Sequence, residues 1–158
     1  MRKPWRWLKP IADVGRCAAP NPTLKLVLDT CVLKLATIPR ENSPSALIVE
    51  IVLRDLAEMW ASPAMLEEYA EVLADEPEFL AELIRRVRLV YPLTVLDVIR
   101  HEPDNRFVEC ALAVPANFII TVNTARGHFD RKDYDGVRVA TPGVWVNSSE
   151  ARPLIAQV

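Results

Sequence analysis

The chain is poor in glycine, has no long apolar run and carries too few cysteines for a disulfide framework, and each shortage removes a class of protein. Four of its 158 residues are glycine and thirteen are proline, which leaves little room for flexible linkers. No stretch approaches the ~18 consecutive apolar residues of a membrane span. The first ten residues, Met1 to Pro10, are basic and include Trp5 and Trp7, but they lack the uninterrupted apolar segment of a signal peptide. Neither secretion nor membrane insertion is expected. The cysteines are odd in number, at Cys17, Cys31 and Cys110. Two of them lie in apolar runs, as reduced and buried thiols of a cytoplasmic protein do. No internal repeat is present.

What is there suits one globular domain. A chain of this length buries about two thirds of its unfolded surface, and 51% hydrophobic residues suffice for a core without a disulfide or structural metal. The formal net charge of -2 hides an uneven distribution. Residues 1–23 hold five basic side chains against Asp13, whereas residues 41–82 hold eleven acids and Arg54 alone. The basic, tryptophan-bearing arm suits contact with nucleic acid, or is a partly ordered extension. The acidic block reads as solvated helix faces or as a docking surface for a basic partner. Asn21-Pro22-Thr23 marks a boundary. The expected organisation is a basic N-terminal extension over 1–23, a domain over 24–147 and a C-terminal tail over 148–158.

Strand and helix signals alternate along that domain. Leu24 to Leu28 is short and apolar, as a strand buried on both faces must be, and a short helix follows Asp29-Thr30. Ser43-Pro44 and Ser62-Pro63 each pair a capping serine with proline at a first helical position. The first opens a helix expected to reach Trp60, the second a helix through Leu73. A further helix is expected over Glu78 to Val90, a strand or loop over Leu93 to Val98, and a helix from Asp104 through Leu112. Phe118 to Val122 and Gly136 to Val139 read as strands, and Thr141-Pro142 opens a last short helix reaching Trp145. This alternation implies an α/β fold with a mostly parallel sheet.

Open parallel sheets bind ligands beyond the carboxyl ends of their strands. Asp29 and Asn123, each just past a strand, are therefore expected to share a crevice that Asp104 and Glu68 can also reach. Oxygen ligands of this kind suit hard cations, Mg²⁺ or Mn²⁺, rather than zinc. The alternatives are local: Asp29 and Asp104 can cap helices, Glu68 can be solvated, and Asn123 can bond its own turn. Glu109 is read as a hydrogen-bond or ion-pair partner below the crevice. Arg126, His128, Arg131 and Lys132 either contact phosphates or form a solvated loop, with His128 also a candidate general base.

Four blocks in order, Leu26-Val27-Leu28-Asp29-Thr30, Leu66 to Leu73, Glu102 to Ala111 and Ile119 to Asn123, resemble the PIN domain, and Val137 to Pro142 resembles its last strand and helix start. The resemblance covers about Leu24 to Val146. It implies a PIN-like (Rossmann-like) three-layer sandwich with a central, mostly parallel β-sheet. By position, Asp29, Glu68 and Asp104 match the family's metal-binding acids, with Glu67 as a substitute for Glu68. Asn123 stands where many members carry a fourth acid, Thr121 matches an accompanying Ser/Thr, and Thr30 follows the first acid. Cys31 stands where Asn is common.

The resemblance further implies a Mg²⁺- or Mn²⁺-dependent endoribonuclease, and in many bacterial members the toxin half of a toxin-antitoxin pair. The partners it implies are an RNA substrate, an antitoxin protein and a second copy of the chain. The helix from Ser45 to Trp60 has apolar positions on more than one side, enough for a core and a homodimer contact. Cys31 and Asn123 lead to slow, one-metal or lost catalysis as an alternative, the extreme being a PIN-fold binding or scaffold module. A structure-specific DNA nuclease is a third reading, without an inserted arch or helix-hairpin-helix signature to favour it.

Overall fold

Three consecutive residues of the first strand, Leu26, Val27 and Leu28, have no exposed surface. Successive strand side chains point to opposite faces, so the sheet around them must be covered on both sides. The computed structural model, which describes residues 23–158, has this three-layer arrangement. The basic arm expected over 1–23 lies, up to residue 22, outside the described residues, as does Cys17.

The order of elements is β1 (Lys25–Leu28), α1 (Thr30–Thr37), α2 (Pro44–Leu53), β2 (Glu58–Ala61), α3 (Pro63–Val72), α4 (Pro77–Ile84) and β3 (Val87–Leu89). A 3-10 turn at Glu102–Asp104 leads into α5 (Asn105–Ala113), followed by β4 (Phe118–Ile120), β5 (Asp133–Tyr134), β6 (Val137–Ala140), α6 (Pro142–Val146) and α7 (Arg152–Ile155). The sheet order is β3-β2-β1-β4-β6-β5. All neighbours are parallel except β5 and β6. Helix α5 lies on β1, β2 and β4, while α2 packs against α1, α6 and α7. β1 and β4 are side by side although far apart in sequence, and connections leave them in opposite directions across the sheet, the topology that opens a crevice at the strand ends.

The local chemistry explains most boundaries. Ser43, Ser62 and Thr141 accept from Ala46 N, Met65 N and Val144 N at 3.3, 3.4 and 3.3 Å, and each is followed by proline. These caps satisfy one of the donors that a helix start leaves unpaired.

Three expectations are corrected. The helix expected to reach Trp60 stops at Leu53, and residues 58–61 form β2. Asp55 takes the left-handed conformation, φ 57°. Leu56 N then bonds Ile51 O and Asp55 N bonds Val52 O, both at 3.0 Å, the paired closure that terminates a helix. Such a stop is commonly glycine, and an aspartate there gives no warning. The apolar surplus of residues 45–60 is thereby divided between β2 and an α2 covered by α1, α6 and α7 within the protomer. The helix expected over 78–90 stops at Ile84 and returns as β3, whose residues 87–89 pair with 59–61. Leu93 to Val98 is no strand: Leu93 and Val95 are almost fully exposed, and the segment hangs on α5 side chains. Leu96 N donates to Glu109 Oε1 at 2.7 Å, and Val98 N and Ile99 N donate to Asn105 Oδ1 at 3.0 and 2.9 Å. Glu109 thus holds the hydrogen-bonding place read for it.

Two elements were not anticipated. β5 turns into β6 through Asp135 and Gly136, φ 50° and 91°, the pair of positive values that a two-residue hairpin turn demands. In the tail, Ala151 is fully buried and α7 rests on α2. Among the described residues no helix is long and apolar enough to cross a membrane.

The loop after β4 is tied to the core by Phe129, which is buried and meets Phe107 of α5 edge-on, centroids 6.1 Å apart. Phe129→Ala should therefore lower folding stability by ~3–5 kcal/mol, as other buried Phe truncations do, whereas Phe129→Leu should cost less. Urea unfolding of both variants measures this; equal, negligible losses would show that the loop is not anchored there.

Candidate active site

The pairing of β1 with β4 sets the geometry. Leu28 faces Ile120 in register, and Asp29 N continues the ladder by donating to Ile120 O at 2.9 Å. The next residues on each chain, Asp29 and Thr121, are consequently adjacent. Thr121 Oγ1 donates to Asp29 Oδ2 at 2.5 Å and itself accepts from Asn123 N at 2.9 Å. Cys31 Sγ is 3.0 Å from the same Asp29 oxygen and donates to it. Asp29 occupies the N-cap of α1 and Asp104 that of α5, yet neither side chain caps its helix. The capping alternative fails for both.

Glu68 is brought in by its neighbour. Tyr69 is fully buried, and its hydroxyl donates to Leu28 O at the end of β1. This pins α3 to the strand and leaves the half-buried Glu68 beside Thr30, whose hydroxyl donates to Glu68 Oε1. Glu67, next along the helix, is exposed. Glu68 is therefore the acid of the pair that belongs to this end of the sheet.

Asn123 and Asp104 meet at His128. Nδ1 of His128 lies 2.9 Å from Asn123 Nδ2 and 2.8 Å from Asp104 Oδ2, while His101 Nδ1 lies 3.0 Å from Asp104 Oδ1. Asp29, Thr121, Asn123, His128 and Asp104 thus form one continuous chain of contacts, with Glu68 joined at Thr30. His101 was not anticipated. The available signal was its spacing, since His101 and Asp104 are three residues apart around a tight turn, where side chains meet. Arg126, Arg131 and Lys132 are exposed, and Arg131 stacks over Tyr134 at 5.7 Å.

The carboxylates Asp29 and Asp104 are 7% and 6% exposed. Among the described residues no lysine or arginine pairs with Asp29, Glu68 or Asp104, and Asp29 is hydrogen-bonded through Oδ2 alone. Burying a carboxylate without a cationic partner is costly. Asp29, Glu68, Asp104 and Asn123 are oxygen donors of the kind that hard divalent cations take. They are not equally gathered. Among the described residues, the group of His, Cys, Asp or Glu whose ligand atoms lie within 4.8 Å of one another is His101, Asp104 and His128.

Cys31 acts as a neutral donor in this setting. Burial and the adjacent Asp29 carboxylate push its thiol up to about 12, and burial does the same for Cys110. Raising the value from 9.0 keeps the proton on sulfur throughout the neutral range. At pH 8 the reactive thiolate of Cys31 should be about a thousandfold scarcer than in an unperturbed cysteine, since reactivity follows the thiolate. Site-resolved alkylation by iodoacetamide, read by mass spectrometry, should therefore find Cys31 slow in the native protein and ordinary in urea; fast native modification would contradict this.

The PIN domain model matches residues 25–125, from the start of β1 to just past Asn123. No curated protein and no solved structure matches the chain. PIN domains are generally nucleases and typically bind divalent metals, which agrees with buried acids at the carboxyl end of a parallel sheet that pair with no lysine or arginine among the described residues. On the extent of that match, the chain belongs to the PIN domain family.

Proposed function

We propose that the protein is a divalent-metal-dependent endoribonuclease that hydrolyses RNA phosphodiester bonds. The observation that carries this is Asp29, a buried carboxylate at the switch point of the sheet that neither caps its helix nor pairs with a basic residue. Asp29, Glu68, Asp104 and Asn123 would hold Mg²⁺ or Mn²⁺. When bound, such an ion offsets phosphodiester charge, favours ionisation of water and stabilises the leaving oxygen. Thr121 aims the Asp29 carboxylate and is a positioning residue; Thr30 does the same for Glu68. Cys31 supplies a third-row donor where a stronger hydrogen bond would come from an amide, so Asp29 is held more loosely than an Asn neighbour would hold it.

The choice of RNA, the toxin role with a cognate antitoxin, and a cytoplasmic location rest on the family resemblance. A homodimer belongs to the same reading. Its support is the exposed Leu35 of α1, Ile38 at the C-cap of that helix and Val72 of α3, with Lys34 of α1 reaching Val72 O at 3.5 Å.

A second reading, a PIN-fold binding or scaffold module, is favoured by one observation: Asn123, a neutral residue, is turned to His128 rather than left to a cation. Metal-stripped protein should regain cleavage of single-stranded RNA with Mg²⁺ or Mn²⁺, and Asp29→Asn should lose at least a hundredfold. The same variant removes an unpaired buried charge. In chelator it should melt higher by ~2–4 °C, about 1 kcal/mol at this size, and gain nothing from added Mg²⁺. Equal cleavage in chelator or by Asp29→Asn rejects the nuclease, and calorimetry without Mn²⁺ binding leaves the scaffold.

A further inference from the structure

We propose that His101, Asp104 and His128 form a binding site for a transition-series divalent cation, Zn²⁺ foremost, distinct in chemistry from the oxygen-donor set around Asp29. Two imidazoles and one carboxylate are borderline-soft donors, which favour Zn²⁺ and its neighbours over Mg²⁺. Their ligand atoms already lie within 4.8 Å of one another, with Nδ1 to carboxylate separations of 3.0 and 2.8 Å. Ligands about 2.0–2.1 Å from a tetrahedral Zn²⁺ stand ~3.3 Å apart; the two contacts, made to different oxygens of Asp104, open by a few tenths of an ångström, and the widest separation, up to 4.8 Å, closes as the partly exposed rings turn.

The three donors sit on a braced frame. Asp104 N donates to His101 O at 3.0 Å, closing the turn that places both side chains on one side. His101 N donates to Gly127 O at 2.8 Å, which clamps this turn to the loop bearing His128. Gly127 has φ 89°, a conformation that side chains disfavour, and Phe129 fixes the far end of the loop in the core. The two rings approach with centroids 4.7 Å apart and planes tilted by 43°, so they are not stacked flat and can turn nitrogens to a common point. Asp104 is held below them, buried, while the rings are 50% and 30% exposed. An ion entering from solvent therefore reaches a fixed carboxylate and two adjustable imidazoles, and keeps an open position.

Nδ1 of His128 faces both the Asp104 carboxylate and the Asn123 amide. A cation between Nδ1 and Asp104 replaces the carboxylate contact and leaves the amide beside the ring.

The chain has two histidines, so their ring signals in the NMR spectrum of the untagged full-length protein report directly on both. One equivalent of Zn²⁺ should shift both sets, while Mg²⁺ at the same concentration leaves them in place. Co²⁺ should give visible ligand-field bands, and its affinity by calorimetry should fall at least tenfold in His101→Ala and in His128→Ala but stay within twofold in Asp29→Asn. Because Asp29 is outside the site, this result stands or falls separately from nuclease activity. Zn²⁺ that leaves either histidine unshifted, as capture by cysteine would, overturns the proposal, as does undiminished Co²⁺ affinity in both histidine variants. The wild-type NMR titration decides the matter even where a histidine variant fails to fold.

Discussion

Everything at the carboxyl end of this sheet depends on the backbone bond from Asp29 N to Ile120 O. It extends the β1–β4 ladder by one residue beyond the strands themselves. Without it the chain would turn into α1 before Asp29 came level with Thr121, and the carboxylate would be free to swing back and cap its own helix. With it, an aspartate in a favourable capping position is held away from the cap by Thr121 and Cys31. Local preference and tertiary constraint disagree here, and tertiary constraint wins. That is the pattern expected where a residue is kept for chemistry rather than stability.

A second constraint is that α5 serves two masters. Its buried face, Phe107, Val108, Cys110 and Ala111, lies in the core. Its first turn delivers Asp104, and its polar residues Asn105 and Glu109 accept three backbone N–H groups from the irregular segment before it. The loop over 91–99 therefore needs no sheet partner. One helix thereby aligns the entering chain, the carboxylate and, through Phe107 against Phe129, the loop that carries His128.

The fold was legible in the sequence wherever the controlling interaction is local. The three serine- or threonine-proline starts, the apolar Leu26-Val27-Leu28 of β1 and the apolar Phe118-Ile119-Ile120 of β4 announce themselves because caps and burial on two faces act within a few residues. β2 and β3 were hidden for two reasons. Leu56, Met59 and Val87 continue a helical spacing by coincidence, and the stop at Asp55 uses a left-handed residue that is not glycine. Pairing with β1 on one side and β3 on the other supplies the hydrogen bonds that make Glu58–Ala61 a strand. The Asp135-Gly136 turn carries a local signal as well, since an Asp-Gly pair suits two successive positive φ values. At the site, the strand-end rule expected Asn123 beside Asp29, but β4 ends at Ile120 rather than Val122, so Thr121 touches the carboxylate and Asn123 turns its amide to His128. The histidines could not be placed the same way, because His101 and His128 come together through tertiary contacts between irregular segments, the bond from His101 N to Gly127 O and the shared Asp104 carboxylate.

That bond also bears on how the two metal chemistries share the site. Asp104 is the carboxylate common to both proposed sets: the oxygen-donor set would use it with Asp29 and Glu68, and the two imidazoles already face it. An ion taken by His101, Asp104 and His128 draws one acid away from the Mg²⁺ set, leaving Asp29 and Glu68. Fewer fixed carboxylates mean weaker retention of a hard ion that keeps most of its own water. The neutral Asn123 adds to this, since it contributes no charge where a fourth acid would. The balance of donors in this chain is thus shifted from oxygen toward nitrogen relative to an all-acid arrangement. Its divalent-ion preference should be set by His101 and His128 as much as by the strand-end acids.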